Sequence, residues 1–339
     1  MTKRSSVGQC GGQTELRIAT RASALALAQT RWVAERLRWF WPALRVREVH
    51  VVTRGDRIQH LPLSEVGGKG LFVSEVESAL LEDRAALAVP SLKDMPAELA
   101  AGLGLVCIPE REDPRDVLVT EQGLDLDDLE AGDRVGTSSL RRQLQLFALR
   151  HDLEYAPLRG NLDTRLRKLA QGEYRAIVLA QAGLRRLGLA DRPLSVLPVE
   201  QVIPSVGQGA LALQARVDDR AVHALLSPLE HAPSRACIEA ERAFLQELGG
   251  DCNVPLAGHA RLQNDGSLLR FDALVGSLEE RRYLRAGADR YLERTHRSLI
   301  EQAVELGREV AQTLLDQGAG ELIHRATRAS DPRQAPTSH

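Results

Sequence analysis

The chain has 339 residues, 43% hydrophobic and 27% charged, which is the balance of a soluble globular protein with room for two or three domains. A formal net charge of -2 argues against a general nucleic-acid binder, and no apolar run reaches the roughly 18 residues of a membrane span. Aromatic residues are only 4%, so the core must be mostly Leu, Val, Ile and Ala.

The basic residues are unusual in kind. Only Lys3, Lys69, Lys93 and Lys168 are lysines among 44 basic residues, so Lys69 and Lys93, both in motif-like segments, are hard to read as surface filler. The cysteines are Cys10, Cys107, Cys237 and Cys252, and their spacing gives neither a CxxC pair nor a zinc pattern. No metal site or disulfide framework is implied, which fits a reducing cytoplasm. Cys107 in an apolar strand-like run and Cys237 in a helix read as inert core residues.

Residues 1–14 are polar, without the apolar region of a signal peptide, and read as a disordered lead. Leu16–Thr20 reads as a strand, Arg21-Ala22-Ser23 as a turn, and Ala24–Arg38 has helical spacing. Such a turn offers a cation, a hydroxyl and free N–H groups to an anion, or Ser23 simply caps the helix. After a strand over Val46–Thr53, Val66-Gly67-Gly68-Lys69-Gly70-Leu71-Phe72 opens a helix to about Leu81. Its glycines let backbone approach a ligand, but the P-loop spacing is absent. A buried strand, Ala85–Val89, ends in Pro90-Ser91-Leu92-Lys93-Asp94-Met95-Pro96, at the carboxyl end where open α/β sheets gather ligands. A carboxylate there can accept N–H groups or stabilise a developing cation, or it is one half of a solvated charge pair. Leu103–Ile108 reads as a further strand.

The charged run Glu110–Asp116, with Pro109 and Pro114, reads as a hinge into a second unit. That unit repeats strand, then a turn rich in hydroxyls and arginines. The turns are Thr137-Ser138-Ser139-Leu140-Arg141-Arg142, Arg159-Gly160-Asn161-Leu162-Asp163-Thr164-Arg165, and Gly183-Leu184-Arg185-Arg186. Helix starts favour anions and arginine forks match carboxylates, so the repeat points to a ligand with several carboxylates or phosphates. Val202–Ala210 reads as a second crossing back to the first unit, followed by a strand over Leu211–Val217. Asp218–Glu230 reads as a linker helix. Residues 231–325 alternate helix and strand as a compact α+β domain, and a polar tail follows from 326. Within that domain Gly249-Gly250-Asp251-Cys252-Asn253-Val254-Pro255 is a tight turn that holds a thiol in the open, as a nucleophile or anchor, or else as a small residue filling a turn.

These segments, in this order from about Leu16 to Gln317, together with Val206-Gly207-Gln208-Gly209, resemble the hydroxymethylbilane synthase (porphobilinogen deaminase) family. The resemblance implies an α/β protein of three domains: two periplasmic-binding-protein-like lobes and a small α+β C-terminal domain. The boundaries expected are 15–109 plus 206–217, 110–205, and 218–325 with the linker helix. It implies stepwise condensation of four porphobilinogen molecules, primed by a dipyrromethane held as a thioether on Cys252. Asp94 is then the catalytic carboxylate and also faces the cofactor with Lys93, Ser139, Arg141 and Arg142. Arg21, Ser23, Lys69, Arg159, Arg165 and Arg186 match substrate-binding positions. The family also implies a monomer in the cytoplasm, with porphobilinogen as its partner and neither nucleic acid nor membrane. Three positions depart from its pattern: Pro90 stands where a histidine is usual, Ala86 for an acidic residue, and Glu65 for a lysine. A low-activity paralogue, or a non-catalytic two-lobed binder of carboxylated ligands, remains an alternative; the latter has no use for an anchoring thiol.

Overall fold

A computed structural model describes residues 8–10, 13–57, 73–249, 254–293 and 298–329. Lys69, Glu65 and Cys252 therefore lie outside the described residues. The chain divides into two compact units, the first formed by Met1–Ile58, Gly70–Glu112 and Gly209–Arg235 and the second by the remainder.

The sheet of the first unit has six strands. In spatial order they run β1 (Gly8–Cys10), β2 (Gln13–Arg21), β4 (Leu87–Ala88), β11 (Leu213–Arg216) and β5 (Leu103–Cys107), with β3 (Arg45–Val51) also on β2. Strand β2 lies parallel to β3 and β4, whereas β11 is antiparallel to β4 and β5. The segment Ala85–Val89 is buried on both faces, which explains why it reads as an unbroken apolar run. Where the sequence reads as an unstructured lead, Gly8–Cys10 pairs antiparallel with the start of β2.

Helix α1 (Ala24–Phe40) buries Gln29, Thr30, Val33, Ala34 and Leu37, one stripe at helical spacing. Val33 and Leu37 pack with Leu16 and Ile18. Helix α2 (Ser74–Leu81) packs Val76, Ala79 and Leu80 with Ala19 and Ala88. Side chains alternate across a strand, so the two helices cover opposite faces. The segment that reads as a linker, helix α6 (Arg220–Leu226), buries Val222 and Leu226 in the same core as Leu16 and Leu37.

The second unit contains a five-stranded sheet, β10 (Leu194–Val196), β6 (Asp116–Val119), β9 (Ala176–Ala180), β7 (Arg134–Gly136) and β8 (Glu154–Ala156) in that order. Helices α3 (Leu140–Leu149), α4 (Leu162–Ala170) and α5 (Gln181–Arg186) follow β7, β8 and β9. The same unit holds an antiparallel meander, β12 (Leu256–Gln263), β13 (Leu268–Ser277) and β14 (Arg282–Tyr291), with helices α7 (Ala232–Leu248), α8 (Leu299–Asp316) and α9 (Ala319–Ala329). Helix α9 runs past 326 into sequence that reads as tail, and Ala326 packs partly buried against the core that holds Leu322, Phe244 and Phe271. Leu144 of α3, Ile203, Ala257 and Leu274 form one cluster that joins the meander to the five-stranded sheet's helices.

Gly307 of α8 faces Ala240 of α7, and a Cβ at Gly307 would overlap the Ala240 carbonyl oxygen and lie 2.9 Å from its carbonyl carbon. Helix propensity alone favours Gly307→Ala by about 1 kcal/mol. The backbone contact should override it, with a net loss of about 1–3 kcal/mol as in other overpacked cores. A thermal melt decides the sign, and a higher midpoint for the variant would refute the close-contact account.

Candidate functional site

In the first unit, β2 ends at Arg21 and the turn to α1 places Ser23 as N-cap, its Oγ accepting the Ala26 N–H at 3.3 Å. Beyond β4, Leu92–Asp94 form a single 3-10 turn. Leu92 and Met95 on either side are buried, the Leu92 N–H donates to the Ala210 carbonyl at 3.0 Å, and the Asp94 N–H donates to the Ser91 carbonyl at 3.1 Å. Asp94 itself is exposed, so an anchored turn presents a carboxylate to solvent. Arg21, Ser23, Gln29, Pro90, Ser91 and Asp94 line one small, partly open cleft.

Three expected residues, Arg21, Ser23 and Asp94, thus share a cleft. Lys93, half-buried, is not among its lining residues. Gln29 is the residue that sequence reasoning missed. It is buried and its Nε2 donates to Ser91 Oγ at 2.8 Å, beside Asp94's turn. The signal was an amide inside the apolar stripe of α1, between Leu25 and Val33. Behind it Thr30 Oγ1 donates to Thr20 Oγ1 at 2.9 Å, a second polar pair, this one buried, on this side of the cleft.

In the second unit, Ser139 caps α3, accepting the Arg142 N–H at 3.4 Å. Asn161 caps α4, accepting the Thr164 N–H at 2.9 Å. Arg159 and Arg165 are half-buried beside that second helix start, and Arg165 Nε donates to the Gly160 carbonyl at 2.9 Å. Gly160 has φ +110°, a conformation that a side chain would resist. These two turns are helix N-termini, as the sequence suggests. The third is not: α5 is short and carries Arg185 and Arg186 in its last turn, where the helix dipole favours the cation itself rather than an anion.

Arg141 and Arg142 also differ from expectation, because both are buried and turned inward onto Asp116. Arg141 Nη1 donates to Asp116 Oδ2 at 2.7 Å and to the Ile203 carbonyl at 2.6 Å. Arg142 donates to Asp116 Oδ1 from Nε at 3.0 Å and from Nη2 at 2.7 Å, and to the Val178 carbonyl from Nη1 at 3.0 Å. Burial by itself would raise the Asp116 pKa, but the two guanidiniums outweigh it and hold the carboxyl well below the usual range. Two guanidiniums share one carboxylate, which leaves a formal excess of one positive charge. Burial lowers the Arg141 pKa, and Asp116, offset by the like charge of Arg142, does not restore it. Nε and Nη2 of Arg141 make no hydrogen bond among the described residues.

Neither described thiol suits covalent chemistry. Cys107 and Cys237 are buried, and at Cys107 burial, reinforced by Glu230, pushes the thiol far above its ordinary value.

Two family models match the chain. "Porphobilinogen deaminase, dipyromethane cofactor binding domain" covers residues 16–224, and "Porphobilinogen deaminase, C-terminal domain" covers 235–316. A porphobilinogen deaminase of Syntrophus aciditrophicus (strain SB) is 46% identical over 308 residues, spanning 91% of this chain and 97% of that protein. Among solved structures, the probable amino-acid ABC transporter extracellular-binding protein ytmK from Bacillus subtilis matches at 11% identity and TM-score 0.39, over 63% of this chain and 89% of that one. The regulatory domain of the LysR-family regulator MetR from N. meningitidis matches at 15% identity and TM-score 0.35, over 64% and 92%. Likeness at that level carries no argument about this chain.

Proposed function

The chain belongs to the porphobilinogen deaminase family, and from that premise we infer that it is a transferase joining four porphobilinogen molecules head to tail into hydroxymethylbilane, with release of ammonia. The structural observation that carries the reading is Asp94, held out on an anchored turn in the same cleft as Arg21 and Ser23.

Porphobilinogen carries acetate and propionate arms and a pyrrole N–H. Arg21 suits a carboxylate arm, and Ser23 adds a hydroxyl donor beside free helix N–H groups. Asp94 accepts the pyrrole N–H, which orients the ring. Loss of ammonia leaves the substrate's exocyclic carbon cationic, and the same carboxylate lowers the energy of that charge as it develops. Pro90 and Gln29 shape the cleft wall next to it.

The residues of the second unit suit an acidic dipyrromethane. A buried cluster with one positive charge in excess, and Arg141 donors still available, matches carboxylate-bearing rings better than it matches a neutral ligand. Ser139, Arg141 and Arg142 would hold the group, Lys93 and Asp94 are assigned to it as well, and Cys252 would form the thioether. When bound, the dipyrromethane supplies the nucleophilic pyrrole carbon to which units are added. Arg159, Arg165 and Arg186, with Lys69, are assigned to the substrate carboxylates. We place the protein in the cytoplasm as a monomer.

Intact mass tests the reading. After incubation with porphobilinogen the protein should carry two linked pyrrole units, and Cys252→Ala should not. An unmodified parent mass after that incubation overturns the reading in favour of a simple binding protein.

Pro90 gives a second prediction. Its carbonyl accepts the Ala212 N–H at 3.0 Å, a role that any residue can keep, while its ring faces the cleft. Pro90→His should therefore raise turnover and leave the melting temperature nearly unchanged, since the imidazole adds a donor beside Asp94. Equal rates at equal stability would remove Pro90 from any account of turnover.

A further inference from the structure

We propose that Asp116 is a positioning residue: its buried carboxylate fixes the Arg141–Arg142 pair and, through Gln208, couples that pair to the helix that leads to Cys252. The inference rests on the functional reading above and extends it to residues that touch neither substrate nor cofactor.

The path is continuous and lies within the second unit. Gln208 Nε2 donates to Asp116 Oδ1 at 2.8 Å and to the Pro114 carbonyl at 2.7 Å. Gln208 thereby ties the returning crossing segment to the outgoing one. Its neighbour Gly207 donates its N–H to Glu241 Oε2 at 2.6 Å. Glu241 lies on α7, its other oxygen accepts the Ala260 N–H of β12 at 2.9 Å, and α7 ends at Leu248, just before the Cys252 turn in sequence. Asp116, Gln208 and Glu241 are each at most 1% exposed, and Arg141 and Arg142 only 5% and 6%.

Such a network holds geometry rather than merely filling space. A guanidinium such as that of Arg142, held through both Nε and Nη2 on one carboxylate oxygen, has one orientation, and a buried polar group that loses its partner must move or stay unsatisfied. The carboxylate of Asp116 is fully buried and accepts four hydrogen bonds, from two arginines and one amide, an arrangement that holds geometry rather than offering a base to a reactant. Its effect on the reaction therefore has to pass through the residues it orients.

The test follows cofactor loading rather than turnover. Protein made in cells that lack porphobilinogen is mixed with that substrate, and the gain of two pyrrole units is timed by intact mass. Parent, Asp116→Asn, Gln208→Leu and the core variant Leu179→Ala are compared at a temperature where circular dichroism finds each folded. Leu179 is buried in the same unit and its side chain makes none of the network's hydrogen bonds, so its variant reports a loss of core packing. Asp116→Asn should load about tenfold to a hundredfold more slowly, the range expected when a site is displaced by about an ångström. Gln208→Leu should load more slowly by a smaller factor, and Leu179→Ala at the parent rate. Parental loading by both Asp116→Asn and Gln208→Leu, or equal slowing in Leu179→Ala, overturns the proposal while leaving the functional reading intact. If Asp116→Asn does not fold, Gln208→Leu decides alone, and parental loading by it overturns the proposal. A parent that gains no mass removes the reading and this inference together.

Discussion

Replacing Asp94 by asparagine should lower kcat for porphobilinogen consumption by about a hundredfold to a thousandfold, the range seen when one preorganised electrostatic group is removed from a transition state. The swap keeps size and one acceptor oxygen, removes the charge, and turns the other oxygen into an amide donor. If Asp94 merely oriented the ring, asparagine would retain much of the activity; if it stabilises a developing cation, the loss is large. The fold should not confuse the result. Asp94 is exposed, and its turn is held by buried Leu92 and Met95 and by the backbone hydrogen bond from Leu92 to Ala210. A surface change of this kind costs about 0.5 kcal/mol or less. The measurement is ammonia release at saturating substrate, on protein whose loading has been verified by mass. A variant that is loaded, folded and as fast as the parent would strip Asp94 of its proposed role.

The parts of this site that were legible in the sequence are those built from neighbours in the chain. Ser23, Ser139 and Asn161 each precede a helical stripe, and each caps its helix as the spacing requires. The Asp94 turn was legible because Pro90 and Pro96 bracket it at the end of a buried strand. The partner of Arg141 and Arg142 was not. Asp116 lies some 25 residues upstream, and nothing local says that two arginines in a helix's first turn will fold inward onto it. The same limit explains Arg186: a glycine-rich segment after a strand reads as a helix start, yet the helix begins at Gln181 and Arg186 falls in its last turn. Strand β14 runs on to Tyr291 through alternating charged residues, an exposed face so polar that periodicity alone marks little of it as strand. Only the last turn of helix α9, from Ala326, falls in sequence that reads as tail, and Ala326 packs partly buried against the same core as Leu322.

Acid should expose the cost of the buried arginine pair. Asp116→Asn removes the only carboxylate among the described residues that bonds to Arg141 and Arg142, and breaking a buried ion pair from one side costs about 3–5 kcal/mol. At neutral pH the variant should therefore unfold at a markedly lower urea concentration than the parent. The difference must then shrink as pH falls. The folded state holds the Asp116 carboxyl below its unfolded value of about 3.9, so the folded state binds fewer protons and the contribution is complete only above about pH 5. Below that, protonation of the unfolded chain progressively cancels it, whereas asparagine has nothing to titrate. Asp113, where Arg115 overcomes the effect of burial, and Glu230, where Arg235 does so, are lowered in the same sense. They are common to both proteins and cancel in the comparison. The decisive quantity is thus the gap between parent and variant urea midpoints at pH 7 and at pH 3, by which point about 1 kcal/mol of it should be gone. A gap that narrows toward acid identifies Asp116 as the charge that binds the pair. A constant gap would mean that asparagine destabilises by shape alone, and the case for Asp116 as an electrostatic clamp would fail with it.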